Sequence, residues 1–376
     1  MLPQSLAREM HHRLHDRPAL RSLAKSLDLR TSRAFHSVAS VIPSVISPRP
    51  RQLTVAITAQ CNLRCQGCRY GRDFMPGESL SLAEMRDVLD DAKAAGVGTV
   101  RLYGGEPLLH PDLAGMVSHA VGLGLRCYIT SNGTHLGLKM PALYEAGLRQ
   151  VTIGFYGIGE RYDDYTQRRG HFARLERSLQ SVRDRYGSAV ELQLNFVLLR
   201  DTCNLPDLAA AWDFAKRFDM FFHVDVANYS VPFFLQGMDS GLHLAANERD
   251  RAETVAVEMV RLKRAEPDRF LHTIEFLRSV PDWLIKGPDM RVPCDAYELL
   301  WIGADGTVQL CDAALPLGNI RERRLRDIMF TDAHRKAARD GFQLNCPNCT
   351  CKVQSRIQKH AASMRRYATK LPGEGA

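Results

Sequence analysis

The chain has 376 residues, 45% of them hydrophobic and 24% charged. That balance supports buried cores for about two domains and excludes a wholly disordered protein. No uninterrupted apolar run of about 18 residues occurs, which argues against a spanning helix. The net charge of +8 is uneven: residues 1–52 carry +6 and residues 352–376 carry +5, which leaves −3 for the body. A basic body would suggest nucleic acid; basic ends on an acidic body do not, so no specific nucleic acid is expected. Arg8, Glu9, Arg13 and Asp16 replace the apolar segment of a secretory signal, so the expectation is a cytoplasmic protein. In that compartment the ten cysteines read as metal ligands before disulfides.

Residues 1–34 read as helical. Leu2, Leu6, Met10 and Leu14 recur every fourth position, Pro18 interrupts, and Leu20, Leu23 and Leu27 resume the apolar face. The plain expectation is an amphipathic helix packed on the body; weak docking to a membrane or a partner is the alternative. Three prolines in 43–50 mark a linker. Strands and helices then alternate. Leu53–Thr58 is a strand that feeds a cysteine loop, and Ser81-Leu82-Ala83-Glu84 has the form of a capping box for a helix ending near Gly96. Further strands are expected at 99–103, 125–130, 150–156, 190–198 and 221–227, with helices at 111–123, 139–146, 171–186 and 205–218. Six such units predict an α/β fold with a parallel sheet, a partial (β/α)6 barrel and not a complete eight-fold one. A helix is expected at 247–265. Asp305-Gly306 between apolar runs predicts a hairpin inside a cysteine-rich segment. The expected divisions are an N-terminal helical extension and linker (1–52), a core (53–245), a helical connector (246–289), a small cysteine domain (290–351) and a basic tail (352–376).

Cys61, Cys65 and Cys68 form C-x3-C-x2-C. Three thiolates can hold three corners of a [4Fe–4S] cube and leave one iron open. A zinc reading lacks a nearby fourth ligand, and His110 or His119 could supply it only through the fold. At the end of the second strand stands Gly104-Gly105-Glu106-Pro107. The cysteine loop and this turn, in this order and spacing over about 53–230, resemble the radical S-adenosylmethionine (radical SAM) superfamily.

The resemblance implies that Cys61, Cys65 and Cys68 bind three irons and that SAM chelates the fourth. It places Gly104, Gly105 and Glu106 at the methionine amine, and Thr130, Ser131 and Asn132 at the ribose and carboxylate. Arg169 is implied at the SAM carboxylate and Asn195 at the ribose. Relatives often place an aromatic before the third cysteine, near the adenine; Gly67 stands there, and Tyr70 is the candidate replacement. The implied chemistry is reductive cleavage of SAM to a 5′-deoxyadenosyl radical that removes a hydrogen atom from a substrate. An electron donor such as a flavodoxin or ferredoxin is implied as a partner.

Cys294, Gly306 and Cys311 fit C-x(9–15)-G-x4-C, and Cys346, Cys349 and Cys351 follow. This segment resembles the SPASM/twitch extension, which carries auxiliary [4Fe–4S] clusters. Five cysteines suit the one-cluster form, with Cys294, Cys311, Cys346 and Cys349 as ligands and Cys351 spare or in place of Cys349. A structural zinc is the plain alternative. A closed cluster favours net oxidation of a small-molecule or peptide natural-product substrate. A redox-neutral epimerase or mutase would instead need a thiol donor such as Cys127 or Cys351, and a lipid-modifying enzyme remains open. Cys127 and Cys203 also read as small buried apolar side chains. Tyr156 and Asp225, with Asn228 and Tyr229, are expected near the substrate from strand-end position. The reading from another class is a non-catalytic iron–sulfur or zinc protein that binds RNA through its basic ends.

Overall fold

The computed structural model describes residues 18–235, 237–239 and 241–375. The periodic segment Leu2–Leu14 lies outside them. The first described helix, α1 (Pro18–Val41), begins at the proline and runs seven residues beyond the expected end at 34. One of its faces is anchored: His36 is buried and its Nε2 meets the Tyr297 hydroxyl at 2.9 Å, while Arg33 Nε donates to the Gln358 carbonyl at 2.7 Å.

Strands β1 (Gln52–Thr58), β2 (Thr99–Gly104), β3 (Arg126–Ser131), β4 (Gln150–Phe155), β5 (Glu191–Leu198) and β6 (Phe221–Val226) pair in parallel. Between them run α2 (Leu82–Ala94), α3 (Leu113–Gly122), α4 (Leu136–Glu145), α5 (Glu160–Thr166), α6 (His171–Tyr186) and α7 (Leu205–Arg217). Local chemistry sets their ends. Ser81 Oγ accepts from Glu84 N–H while Glu84 Oε2 accepts from Ser81 N–H at 2.7 Å, closing the expected capping box. Asn204 caps α7 with its side-chain oxygen, which accepts from Asp207 N–H. The sequence pattern missed α5, because it reads as a polar turn between Gly159 and Gly170.

Sheet order is β6-β5-β4-β3-β2-β1-β7-β8-β9. The cysteine-rich segment therefore extends the core sheet. Strand β7 (Leu299–Ile302) pairs in parallel with β1, and β8 (Thr307–Gln309) and β9 (Pro316–Asn319) follow antiparallel. Gly306 at φ +83° makes the expected turn. Both β6 and β9 are edges, so the fold is a partial (β/α)6 barrel. Burial alternates along β3, β5 and β6. Ile129, Leu194 and Val224 sit fully buried in the main core with helix residues such as Leu175 and Leu208. The other set, Tyr128, Thr130, Asn195, His223 and Asp225, stays partly accessible on the concave face.

Helices α8 (Arg249–Ala265) and α9 (Ile274–Lys286) form the connector, and α10 (Leu325–Ile328) and α11 (Asp332–Phe342) follow the hairpin. The basic tail is a correction. Residues 353–368 fold into α12 (Val353–Lys359) and α13 (Ala361–Ala368), with Arg356, Ile357 and Lys359 buried. Burial of these cations is possible because each is satisfied, Arg356 by neutral oxygens and Lys359 by carboxylates. Lys359 Nζ bonds Asp295 Oδ2 at 2.8 Å and Glu298 Oε2 at 2.6 Å, and Lys352 stands 3.5 and 3.6 Å from the same carboxylates.

Burial pushes the Asp295 carboxyl up, but Lys352 and Lys359 outweigh it and hold the group well below the usual carboxylate range. Its stabilising contribution is therefore complete above an ordinary carboxylate pKa of about 4 and lost as pH falls below it. Lys359→Met is expected to cost roughly 3 kcal/mol, since it leaves two buried carboxylates to Lys352 as their one lysine partner. Denaturant midpoints measured across the acid range should show the loss at neutral pH and a flatter acid limb for the variant.

Candidate functional site

The first site is built where β1 and β2 end. Cys61, Cys65 and Cys68 are unpaired and half-buried. Burial pushes the Cys61 thiol up to about 12. Burial also raises Cys65, with further contributions from Cys68 and Cys61 as their charges oppose one another. Three crowded thiols that resist ionising alone are suited to a polycationic metal centre, which would stabilise all three thiolates. A zinc site has less support. His110 Nε2 is engaged by the Leu80 carbonyl at 2.9 Å and His119 by Asp90 at 2.8 Å. Among the described residues no three His, Cys, Asp or Glu side chains converge tightly enough for a single ion.

The glycine turn is locked against this loop. Gly105 N–H donates to the Thr58 carbonyl at 2.8 Å and Glu106 N–H to the Gln60 carbonyl at 2.7 Å. A Cβ on Gly104 would stand 2.2 Å from the Thr58 oxygen, and one on Gly105 would stand 2.2 Å from the Gln60 oxygen. Only glycine permits that approach. The Glu106 side chain does something the sequence did not show. It is 1% exposed, and its carboxylate accepts from Leu108 N–H at 2.9 Å, Ser131 Oγ at 2.8 Å and Asn132 N–H at 2.8 Å. Asn132 Nδ2 then reaches Asn62 Oδ1 at 2.8 Å. Cysteine loop, glycine turn and the end of β3 thus form one hydrogen-bonded unit.

Other expected site residues divide. Asn195 faces the concave side, where its Nδ2 donates to Asp225 Oδ2 at 2.8 Å and its Oδ1 meets His223 Nδ1 at 2.7 Å. Thr130 Oγ1 accepts from Arg101 Nε at 2.9 Å. Tyr156 stacks on Tyr165 at 4.2 Å and packs with Cys65. Arg169 is exposed and shows no hydrogen bond or ion pair among the described residues, whereas Arg168 Nη1 donates to the Asn62 carbonyl at 2.7 Å. Cys127 is a correction. It lies on the helix-facing side of β3 in the main core, because strand alternation sends it away from the concave face. Tyr70 is 3% exposed and enclosed by Phe74 at 5.1 Å and Phe233 at 5.2 Å, which leaves its ring little open face. The ring of Phe234 comes 2.6 Å from where a Gly67 Cβ would lie, so it fills the space that a side chain at 67 would take.

The second thiol group lies beyond the hairpin. Cys294, Cys311 and Cys349 are buried; Cys346 and Cys351 are half-buried. Cys311 is within electrostatic reach of Cys349 and Cys294, and Cys351 of Cys349 and Cys311, whereas Cys346 interacts with Cys349 alone among the thiols. Cys351 also faces the end of β6, since Asn228 Nδ2 lies 3.8 Å from its sulfur. Tyr229 is buried with its hydroxyl unpartnered among the described residues. The loop is organised by Arg356, which the sequence did not single out. It is fully buried, donates to Val292, Cys349 and Asn348 oxygens, and lies 4.8 Å over Trp283.

Two sequence families match. The radical SAM superfamily matches residues 55–200, and an iron–sulfur cluster-binding domain, SPASM, matches 294–351. The chain carries a radical SAM domain followed by a SPASM domain. Its cofactors follow from these domains: a [4Fe–4S] cluster with SAM, and auxiliary iron–sulfur ligation in the SPASM domain. An AdoMet-dependent heme synthase of Oleidesulfovibrio alaskensis is 33% identical over 178 residues, 46% of this chain and 44% of that protein. A probable GTP 3′,8-cyclase of Methanothermobacter thermautotrophicus is 35% identical over 150 residues, 39% of this chain and 48% of that protein. The match thus spans under half the length of either curated relative. Among solved structures, Streptococcus suis SuiB bound to precursor peptide SuiA aligns at TM-score 0.59 and 17% identity, covering 81% of this chain and 70% of that one. Native anSMEcpe with AdoMet and the Kp18Cys peptide aligns at 0.59 and 15%, covering 85% and 96%. At such identities the likeness is one of fold. No helix among the described residues is long and apolar enough to cross a membrane.

Two outcomes follow for this radical SAM site. Gly105→Ala should drive the turn off the cysteine loop and cut iron loading at the first site to less than about half, while the second site still loads; iron analysis and the visible cluster spectrum report this. Burial pushes the Glu106 carboxyl up to about 7 against the hydrogen bonds from Asn132, Leu108 and Ser131. Folding therefore favours its protonated form, and stability should fall as pH rises from about 4.5 towards 7. Relative to Glu106→Gln, the wild type should lose about 2 kcal/mol over that range in denaturation experiments.

Proposed function

We propose that this chain is a radical SAM enzyme that oxidises a small-molecule or peptide natural-product substrate. The observation that carries the reading is the pair of thiol groups on one barrel. Cys61, Cys65 and Cys68 are stapled to the glycine turn, and Cys294, Cys311 and Cys349 lie across the polar concave face. Asp312, next to Cys311, is in electrostatic reach of Arg101 on that face. When bound, the reduced first cluster and SAM supply a hydrogen-abstracting 5′-deoxyadenosyl radical, and the auxiliary cluster supplies an electron acceptor that makes the outcome oxidative.

The chain's own residues hold and shield. Cys61, Cys65 and Cys68 take three irons. The carbonyl side of the Gly104–Gly105 turn is left for an ammonium, because the Gly105 and Glu106 N–H groups are already engaged and the Glu106 carboxylate is filled. Tyr156 and Tyr165 wall the cysteine loop from water. Asn195 and Asp225 face the space where a substrate would lie. A flavodoxin or ferredoxin is the expected electron donor, and the cytoplasm the compartment that suits ten free thiols. Peptides bound to the two structural neighbours keep a peptide substrate in the reading. The RNA-binding reading loses support, since Lys352, Lys359 and Arg366, half of the cations of the basic C-terminal segment, are paired with Asp295, Glu298 and Asp282.

A second reading rests on Cys351, half-buried beside Asn228. It is either the fourth auxiliary ligand in place of Cys346 or a hydrogen-atom donor for a redox-neutral outcome.

Anaerobically reconstituted, reduced protein should form 5′-deoxyadenosine from SAM, and Cys61→Ala should abolish it; equal formation in the two would overturn the enzyme reading. Cys294→Ala should lower iron from roughly eight to roughly four per chain and keep SAM cleavage. Cys351→Ala separates the two roles of that thiol: iron falls by the same amount if it is a ligand and stays level if it is a donor.

A further inference from the structure

The outer side of the cysteine loop carries positive charge that the chain does not neutralise. Arg64, Arg72, Arg168 and Arg169 are exposed there, and among the described residues none of them closes an ion pair. Hydrogen bonds fix how they lie. Arg72 Nη2 donates to the Arg64 carbonyl and, at 2.7 Å, to Gln167 Oε1. Arg168 Nη1 donates to the Asn62 carbonyl at 2.7 Å, and Arg64 N–H to the Thr166 carbonyl at 3.3 Å. Segments 62–66 and 165–169 therefore run side by side, and Arg72 bridges them. Every one of these acceptors is neutral, so the guanidinium charges stay whole. The nearby carboxylates are engaged elsewhere. Asp73 pairs with Arg69 at 3.1 Å, and Asp163 accepts from Gly170 N–H at 2.5 Å and Phe172 N–H at 2.8 Å. Asp164 lines a neighbouring cavity with Gln66, Glu160 and Asp201.

These cations are spread along two segments of an exposed surface and do not converge on one point, which suits an acidic protein surface better than a small anion. Nucleic acid would seek stacking rings beside the cations, and the tyrosines of these segments, Tyr70, Tyr162 and Tyr165, are buried. We propose that this face docks a small acidic electron-carrier protein, whose carboxylates meet Arg64, Arg72, Arg168 and Arg169. The concave side of the barrel is left for SAM and substrate, whereas each reductive cleavage of SAM takes up one electron that must come from outside. The carrier loses that electron and the first cluster gains it; no covalent bond forms. Contact at Arg72 brings the carrier to the backbone of a thiol ligand, since Arg72 Nη2 lies 3.4 Å from the Cys65 carbonyl. Opposite charge on the two surfaces speeds their encounter and sets their orientation.

This inference rests on the enzyme reading above and is tested by binding. A bacterial flavodoxin, oxidised and free of oxygen, is titrated calorimetrically into the reconstituted chain. It should bind, and its Kd should rise about tenfold or more between roughly 50 and 300 mM salt, because exposed charges are screened. Arg64→Glu, at a side chain with no partner among the described residues, should weaken binding about fivefold or more; the same change at the exposed Arg326 on α10 should move it less than about twofold. Reduction of the cluster by reduced flavodoxin should slow in parallel in Arg64→Glu, while iron content and dithionite-driven 5′-deoxyadenosine formation stay at the wild-type level. A ferredoxin that binds instead, with the same dependence on salt and Arg64, supports the proposal equally. No binding of either carrier, binding indifferent to salt, or equal losses in Arg64→Glu and Arg326→Glu would each overturn it. So would tighter, Arg64-dependent binding of a single-stranded RNA of about 20 nucleotides. Should Arg64→Glu load less iron, the salt response of the wild type still decides. Dithionite-driven 5′-deoxyadenosine formation by the wild type shows separately whether the enzyme reading stands.

Discussion

The structure turns on a close backbone contact, that of Gly104 and Gly105 against the carbonyls of Thr58 and Gln60. Any side chain there would sit 2.2 Å from an oxygen, so the contact requires glycine at both positions. Glu106 then converts contact into fixation. Its buried carboxylate gathers Leu108, Ser131 and Asn132, and Asn132 reaches the cysteine loop through Asn62. A strand end, a turn and a metal-binding loop, each weakly structured alone, become rigid together. Rigid support is what a reactive cofactor needs, because a misplaced radical attacks the wrong bond. The cost is a carboxylate kept in a site where burial disfavours its charge.

A second set of buried charges does the same for the C-terminal segment. Lys352 and Lys359 meet Asp295 and Glu298, next to Cys294 and in front of β7. Arg356 ties the loop that carries Cys349 to the Val292 carbonyl. The auxiliary thiols are thus held by ionic contacts that join α12 to the start of β7, and β7 is itself hydrogen-bonded to β1. The two thiol groups share one sheet, which fixes them relative to each other across the concave face.

Much of this was legible in the residue order. The βα alternation, the Ser81–Glu84 box, the Asp305-Gly306 hairpin and the two cysteine groups all rest on local patterns: periodicity, capping and ligand spacing. What was not legible shares a different cause. Cys127 looked available as a thiol, but strand alternation turns it towards the helices. Arg169 and Arg168 are indistinguishable as letters, and only the fold aims one of them at Asn62. The basic tail read as solvated because its acidic partners, Asp282, Asp295 and Glu298, lie tens of residues away in sequence.

The sequence by itself determined the radical SAM and SPASM resemblance and the strand–helix alternation of the core, because metal ligation and tight turns require particular residue types at short spacings. The tertiary structure alone decided that the Glu106 carboxylate is a staple, that Phe234 fills the space over Gly67, and that Asn195, His223 and Asp225 are joined by hydrogen bonds on one face. Those relations join residues on different strands, and no local rule encodes them. The uneven +8 of the opening arithmetic ends in the same place: part of its C-terminal share is internal, with Arg356 and Lys359 buried, and Lys352, Lys359 and Arg366 meet acids that folding brings within 4 Å.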